Sequence, residues 1–187
     1  MNFTTIILAG GQSSRVGSNK ALISYRGKPL IQHAVDLARL FTVDMLISAN
    51  NHDLDYLGLP IVRDLLKVKA PLAGIHAGLK SSRTDWNLVL TCDMPNITKE
   101  LIGTLMAALN DNLRLVLPRH GGFIEPLCGF YHKEMISPIE RNFEAGKISL
   151  LDLPGLVPHR FVSVDDQVPG EIKLLFRNVN EKKDLLS

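Results

Sequence analysis

The sequence predicts a single Rossmann-like α/β domain, with a mostly parallel central sheet, helices on both faces and an antiparallel strand pair late in the chain. Three observations carry that prediction. Short, uncharged runs such as Thr4–Ala9 and Asn87–Thr91 have the pattern of strands buried on both faces. Longer segments between them place apolar residues at helical spacing, and strands alternating with helices build parallel sheets. A glycine-rich polar loop follows the first run, where sheets of this class open toward ligands. At 187 residues the chain suits one domain over residues 1–187, and no repeat or low-complexity linker divides it.

The elements follow in order. Thr4–Ala9 reads as the first strand, ending in Gly10-Gly11 and a polar loop that reaches Lys20. Pro29 fits the first position of a helix through Leu40, whose Leu30, Ile31, Ala34, Leu37, Ala38 and Phe41 share one face. Met45–Ala49 and the short Pro60–Val62 read as strands. Pro71–Ser81, carrying Gly74 and Gly78, reads as a tight loop leading into a helix. Asn87–Thr91 is a buried strand with Asp93-Met94-Pro95 at its carboxyl end, and Thr98 caps a helix through Asn110. Later, Leu113–Leu117, Leu127–Tyr131 and Phe161–Val164 read as strands, Lys133–Ala145 as a helix, and Asn180 as the cap of a short terminal helix.

Composition narrows the function. Hydrophobic residues make up 45% and charged residues 21%, an ordinary globular balance. A formal charge of +2 is too small an excess for sequence-independent binding to nucleic acid. The two cysteines, Cys92 and Cys128, sit in apolar runs without zinc-like spacing, as buried thiols in a reducing compartment would. The N-terminus lacks a basic leader and no run has the length of a membrane span, so the expected location is the cytoplasm, with no membrane partner.

Leu8-Ala9-Gly10-Gly11-Gln12-Ser13-Ser14-Arg15-Val16-Gly17-Ser18-Asn19-Lys20 is the most informative stretch. Its glycines let the backbone approach a triphosphate and offer N–H donors to it. Arg15 and Lys20 would neutralise a leaving pyrophosphate. It is neither a Walker A loop, since Ser18-Asn19-Lys20 follows Gly17, nor a dinucleotide fingerprint, since Gly10 and Gly11 are adjacent. The plainer alternative is a glycine turn with solvated charges. Strand Leu88–Thr91 delivers Asp93 to the same sheet edge, where one carboxylate could hold Mg²⁺ together with phosphate oxygens. A lone Asp after a strand is otherwise a cap or turn residue.

These residues resemble the molybdenum cofactor guanylyltransferase (MobA) family of the nucleotidyltransferase superfamily. The loop is similar to that family's Leu-Ala-Gly-Gly-x-Ser-x-Arg-Met-Gly-x-Asp-Lys signature, with Val16 for Met and Asn19 for Asp. Cys92-Asp93-Met94-Pro95 matches its Asp-x-Pro metal motif, and the resemblance extends from Ile6 to Leu185. It implies transfer of GMP from GTP to molybdopterin with Mg²⁺ as cofactor, and leaves room for transient contact with other molybdenum cofactor enzymes. Arg15, Lys20 and Asp93 would be catalytic, with Asp93 the metal ligand. Leu8, Ala9, Gly10, Gly11, Lys20, Ser48, Asp64 and Asp93 would bind nucleotide, and Asn178 and Asn180 the acceptor. Glu125 and Pro126 would line one acceptor wall. Ser48 stands where the family often has Asn, and only Lys147 supplies charge where relatives often carry arginine. No catalytic role falls to Lys28 or His33.

The same chemistry with another pair, cytidylyl transfer to molybdopterin or nucleotidyl transfer to a sugar or alcohol phosphate, is the nearest rival. A non-catalytic nucleotide sensor is the rival of another class. A Rossmann-type oxidoreductase lacks its glycine fingerprint.

Overall fold

The computed structural model describes residues 2–10, 19–165 and 172–179. The order is β1 (Thr4–Leu8), β2 (Ser24–Tyr25), β3 (Lys28–Pro29), α1 (Leu30–Arg39), β4 (Met45–Ser48), β5 (Ile61–Val62), α2 (Pro71–Ser81) and β6 (Trp86–Thr91). Then come α3 (Lys99–Ala107), β7 (Leu115–His120), β8 (Phe123–Ile124), β9 (Cys128–His132), α4 (Ile136–Glu144), β10 (His159–Ser163) and α5 (Ile172–Leu175). The sheet runs β10-β7-β9-β6-β1-β4-β5, with β8 paired to β7. Strand β9 is antiparallel to both β6 and β7, while β10 is parallel to β7. One reversed strand is thus inserted into an otherwise parallel path, and the expected late antiparallel pair is β7 with β9.

Alternation along the strands builds two cores. Ile7, Ile47, Leu88, Leu90 and Phe130 pack against α1 and α3, through residues such as Val35 and Leu101. Ile6, Leu8, Leu46 and Val89 pack on the other face with Leu72, Ile75 and Leu79 of α2 and Ile139 of α4. Covering both faces forces the uncharged strand composition that made these runs legible.

Several boundaries differ from expectation. Pro29 lies just before α1 rather than inside it, because its ψ of 146° is extended and it pairs with Ser24 in the β2–β3 hairpin. Residues 71–81 are helical throughout, with Pro71 as first residue, so the expected loop lies before this span, where residues 66–70 bend. Gly78 does not break this helix; it lets α2 lie on β1, since a Cβ there would come within 2.5 Å of Ile6 Cγ2. Helix α3 keeps its Thr98 cap, the hydroxyl accepting from Leu101 N, but ends at Ala107. Lys133–Met135 forms a 3-10 turn ahead of α4, and β10 begins at His159. Strand β8 arises from a two-residue turn with Gly121 and Gly122 at φ 50° and 83°, a conformation that favours glycine at both positions. Asn180 lies outside the described residues.

Candidate active site at the carboxyl edge of the sheet

Register assembles the site. Leu8 of β1 stands opposite Ser48 of β4 and Thr91 of β6, and Ser48 stands opposite Val62 of β5. Two residues beyond each strand position come Gly10, Asn50, Asp93 and Asp64, which therefore line one sheet edge. Backbone bonds carry the alignment past the strands: Ala9 N donates to Ser48 O at 2.9 Å, Cys92 N to Leu8 O at 3.1 Å, and Ala49 N to Val62 O at 3.0 Å.

Asp93 and Lys20, each expected at this sheet edge, are in direct contact. Lys20 Nζ lies 2.6 Å from Asp93 Oδ2, with both side chains mostly covered. Thr91 Oγ1 donates to Asp93 Oδ1 at 2.6 Å, so a hydroxyl within β6 orients the carboxylate. Val179 N donates to Asp93 O at 2.8 Å, which sets Asn178, exposed, one residue from that contact. The neighbouring Cys92 is no nucleophile: burial, and then the charge of Asp93, push its thiol up to about 12.

The β4–β5 side of this edge is held by amide clamps. Asn50 Nδ2 donates to Asp64 Oδ2 at 2.6 Å, and Asp64 N donates to Asn50 Oδ1 at 3.1 Å. Asn19 accepts from Ala21 N at 3.1 Å and reaches Asp53 Oδ2 at 3.3 Å, so its amide replaces the family's aspartate while still capping the turn that carries Lys20. Leu8 and Ala9 are buried, and Gly10 follows them into the open. Ser48 is also buried, its hydroxyl lying toward Gly74 of α2. Gly11 and Arg15 lie outside the described residues. Lys28, given no catalytic role, bonds Asp36 of α1. Burial works to raise that carboxyl, but hydrogen bonds from Lys28 and Gln32 outweigh it and hold it below the usual range.

Where an acceptor wall is expected from the sequence, Glu125 Oε1 meets His120 Nε2 at 3.2 Å. Pro126 is fixed through its carbonyl, which accepts from the buried Tyr131 hydroxyl at 2.7 Å. Asn50, Thr91 and His120 were not singled out by sequence reasoning. The signal for all three was position: each stands at or just past the carboxyl end of a strand. Among the described residues no cluster of three or more His, Cys, Asp or Glu could hold a metal. A single oriented carboxylate, Asp93, suits a hard cation whose remaining ligands come from phosphates and water. A cavity of about 490 Å³, lined by Arg114, Glu134, Arg141 and Pro158, lies at the opposite, amino-terminal ends of β7 and β10, away from this row.

Comparison with known proteins agrees with this geometry. A family model described as a MobA-like NTP transferase domain matches residues 5–154. A molybdenum cofactor guanylyltransferase of Desulfosudis oleivorans is 33% identical over 97% of this chain and 92% of its own length. One from Pseudomonas putida is 38% identical over 78% of each. Molybdopterin-guanine dinucleotide biosynthesis protein A of Archaeoglobus fulgidus superposes with a TM-score of 0.76 at 22% identity, covering 98% of this chain and 95% of that one, a likeness of fold. With a family model spanning residues 5–154 and relatives above 30% identity over most of their length, the chain belongs to the MobA-like NTP transferase family.

Proposed function

We propose that this protein transfers GMP from GTP to molybdopterin, releasing pyrophosphate and forming a guanine dinucleotide cofactor. The Lys20–Asp93 pair at the carboxyl edge of β6 carries this reading, because it puts a cation and a carboxylate where a triphosphate on the glycine loop would be cleaved. Relatives named molybdenum cofactor guanylyltransferase supply the substrate pair.

In this scheme Gly10, Gly11, Arg15 and Lys20 hold the triphosphate, over a floor made by Leu8 and Ala9. Ser48 supports that floor through its carbonyl, and Asp64, oriented by Asn50, holds the nucleoside. Asn178 and Asn180 position the acceptor. A phosphate oxygen of molybdopterin forms the new bond to the α-phosphorus of GTP while the bond to the bridging α–β oxygen breaks, and that oxygen leaves with the electron pair on pyrophosphate. The attacking phosphate is largely ionised near neutral pH, so no general base is required. Mg²⁺, held by Asp93, would neutralise phosphate charge when bound. Lys20 then serves the leaving group, and burial of β1, β4 and β6 keeps the reacting groups in place.

We further propose that residues 1–187 fold as one unit and that the reaction runs in the cytoplasm without nucleic acid or membrane. Cys92 and Cys128, free and buried, support a reducing compartment. Among the described residues no helix is long and apolar enough to cross a membrane.

The test is product analysis with GTP, CTP and ATP, each with molybdopterin and Mg²⁺. The guanine dinucleotide should form fastest. A cytosine product instead would keep the phosphate chemistry and overturn the base assignment. Tight nucleotide binding without any product would favour a sensor.

A further inference from the structure

Residues 172–179 cross the carboxyl edge of the sheet and are held at three places. At one end, Asn96 Nδ2 donates to Leu174 O at 3.1 Å, while its Oδ1 accepts from the Tyr25 hydroxyl at 3.1 Å. In the middle, the imidazole of His120, the last residue of β7, lies flat on Phe176, with ring centroids 4.4 Å apart and planes 9° from parallel. At the far end, Val179 donates its N–H to the carbonyl of Asp93 and is buried with Tyr25 and Leu30. The segment is therefore a strap whose two ends are tied at Asn96 and Asp93, beside the β2–β3 hairpin, and whose middle reaches His120 at the end of β7.

Two of these holds are hydrogen bonds at the ends of the strap, and the third is Phe176, which enters the core and carries the His120 ring on one face. Phe176 is 6% exposed, and the His120 imidazole covers one of its faces. His120 Nε2 also meets Glu125 Oε1, which ties the ring to the acceptor wall. A backbone carbonyl fixed by Val179 restricts the rotation of the Asp93 peptide, and with it the place of the carboxylate that faces Lys20.

We propose that His120 is a positioning residue for nucleotidyl transfer: its stack on Phe176 seats the strap, and the strap fixes Asp93 and presents Asn178 beside it. This rests on the role given above to Asp93. His120 acts through the ring, not through proton transfer or contact with substrate.

Three substitutions separate the ring from its hydrogen bond. His120→Phe keeps the stack and loses Glu125, His120→Gln keeps a polar partner for Glu125 and loses the stack, and His120→Ala loses both. The Ala and Gln variants should lose kcat by about tenfold to a hundredfold, with KM for GTP within about threefold, as expected for a misplaced rather than a missing group. His120→Phe should stay within about threefold of the parent in both constants. Hydrogen exchange at the Val179 amide supplies a readout that needs no acceptor. It should speed up by about tenfold or more in the Ala and Gln variants and stay slow in His120→Phe. If the parent protein transfers no GMP, the functional reading fails while the exchange rates still decide the strap. A Phe variant as impaired as the Ala variant would overturn the proposal, as would unchanged Val179 exchange in His120→Ala.

Discussion

The two halves of the sheet edge are built differently. On the nucleotide side, β1, β4 and β5 are parallel neighbours, and the site follows from register plus short clamps such as Asn50–Asp64. On the proposed acceptor side, β9 runs against β6 and β7, and the strap is seated by side chains far apart in sequence, such as His120 on Phe176. A parallel βα repeat places residues by local rules alone, whereas a reversed strand and a crossing strap place them only once the whole sheet exists. Asp93 sits at the seam, paired with Lys20 from one half and held by Val179 from the other.

The largest effect should therefore fall at the seam. Asp93→Asn keeps the size of the side chain and removes the charge that faces Lys20. It should lower kcat by about a hundredfold to a thousandfold in steady-state assays while leaving the circular dichroism spectrum unchanged. Activity near the parent's would mean that neither half converges on this carboxylate.

Within the nucleotide half, Gly78→Val should cost about 1–3 kcal/mol in urea unfolding, because the new side chain would drive into Ile6 and push α2 off β1. An unchanged midpoint would show that α2 does not rest on β1 as closely as the register requires. In the acceptor half, Tyr131→Phe should cost about 1 kcal/mol by stripping the Pro126 carbonyl of its buried donor. The same variant should raise KM for the acceptor more than KM for GTP. An equal rise in both would erase the distinction between the halves.

The smallest effect concerns pH. Burial, and then the charge of Arg114, hold His132 below its ordinary value. Its Nδ1 accepts from Glu134 N at 3.2 Å, which only the neutral ring can do. The folded-state pKa lies below the unfolded one, so the unfolded chain binds the extra proton first. Stability should be complete above the ordinary histidine value of 6.5, fall as pH drops through it, and level off below the lowered folded value. His132→Asn, which keeps a capping acceptor, should flatten that slope in unfolding curves taken across the window.

The same contrast explains what could be read from the chain alone. Strands β1, β4 and β6 and helix α1 were legible because each is marked within a few residues by an apolar run or helical spacing, whereas the contact between Asp93 and Lys20, 73 residues apart, was not. Residues 71–81 were misread at their start because Gly74 and Gly78 look like turn residues until β1 lies beneath them. The β2–β3 and β8 pairings are two residues long, too short for any period to show. Resemblance marked Asn178 within the strap, but not what holds the strap, since Phe176 and Val179 are ordinary apolar residues until His120 and Asp93 are brought against them. Ser48 was assigned by likeness to an asparagine, yet its side chain is buried toward α2, and the exposed amide at this edge belongs to Asn50.

The most direct measurement is pyrophosphate release from GTP with Mg²⁺ and molybdopterin, run side by side on the parent protein, Lys20→Ala and Asp93→Ala. Release by the parent, lost in both variants, is the predicted result. Normal release by either variant would contradict the claim that this pair at the seam performs the transfer.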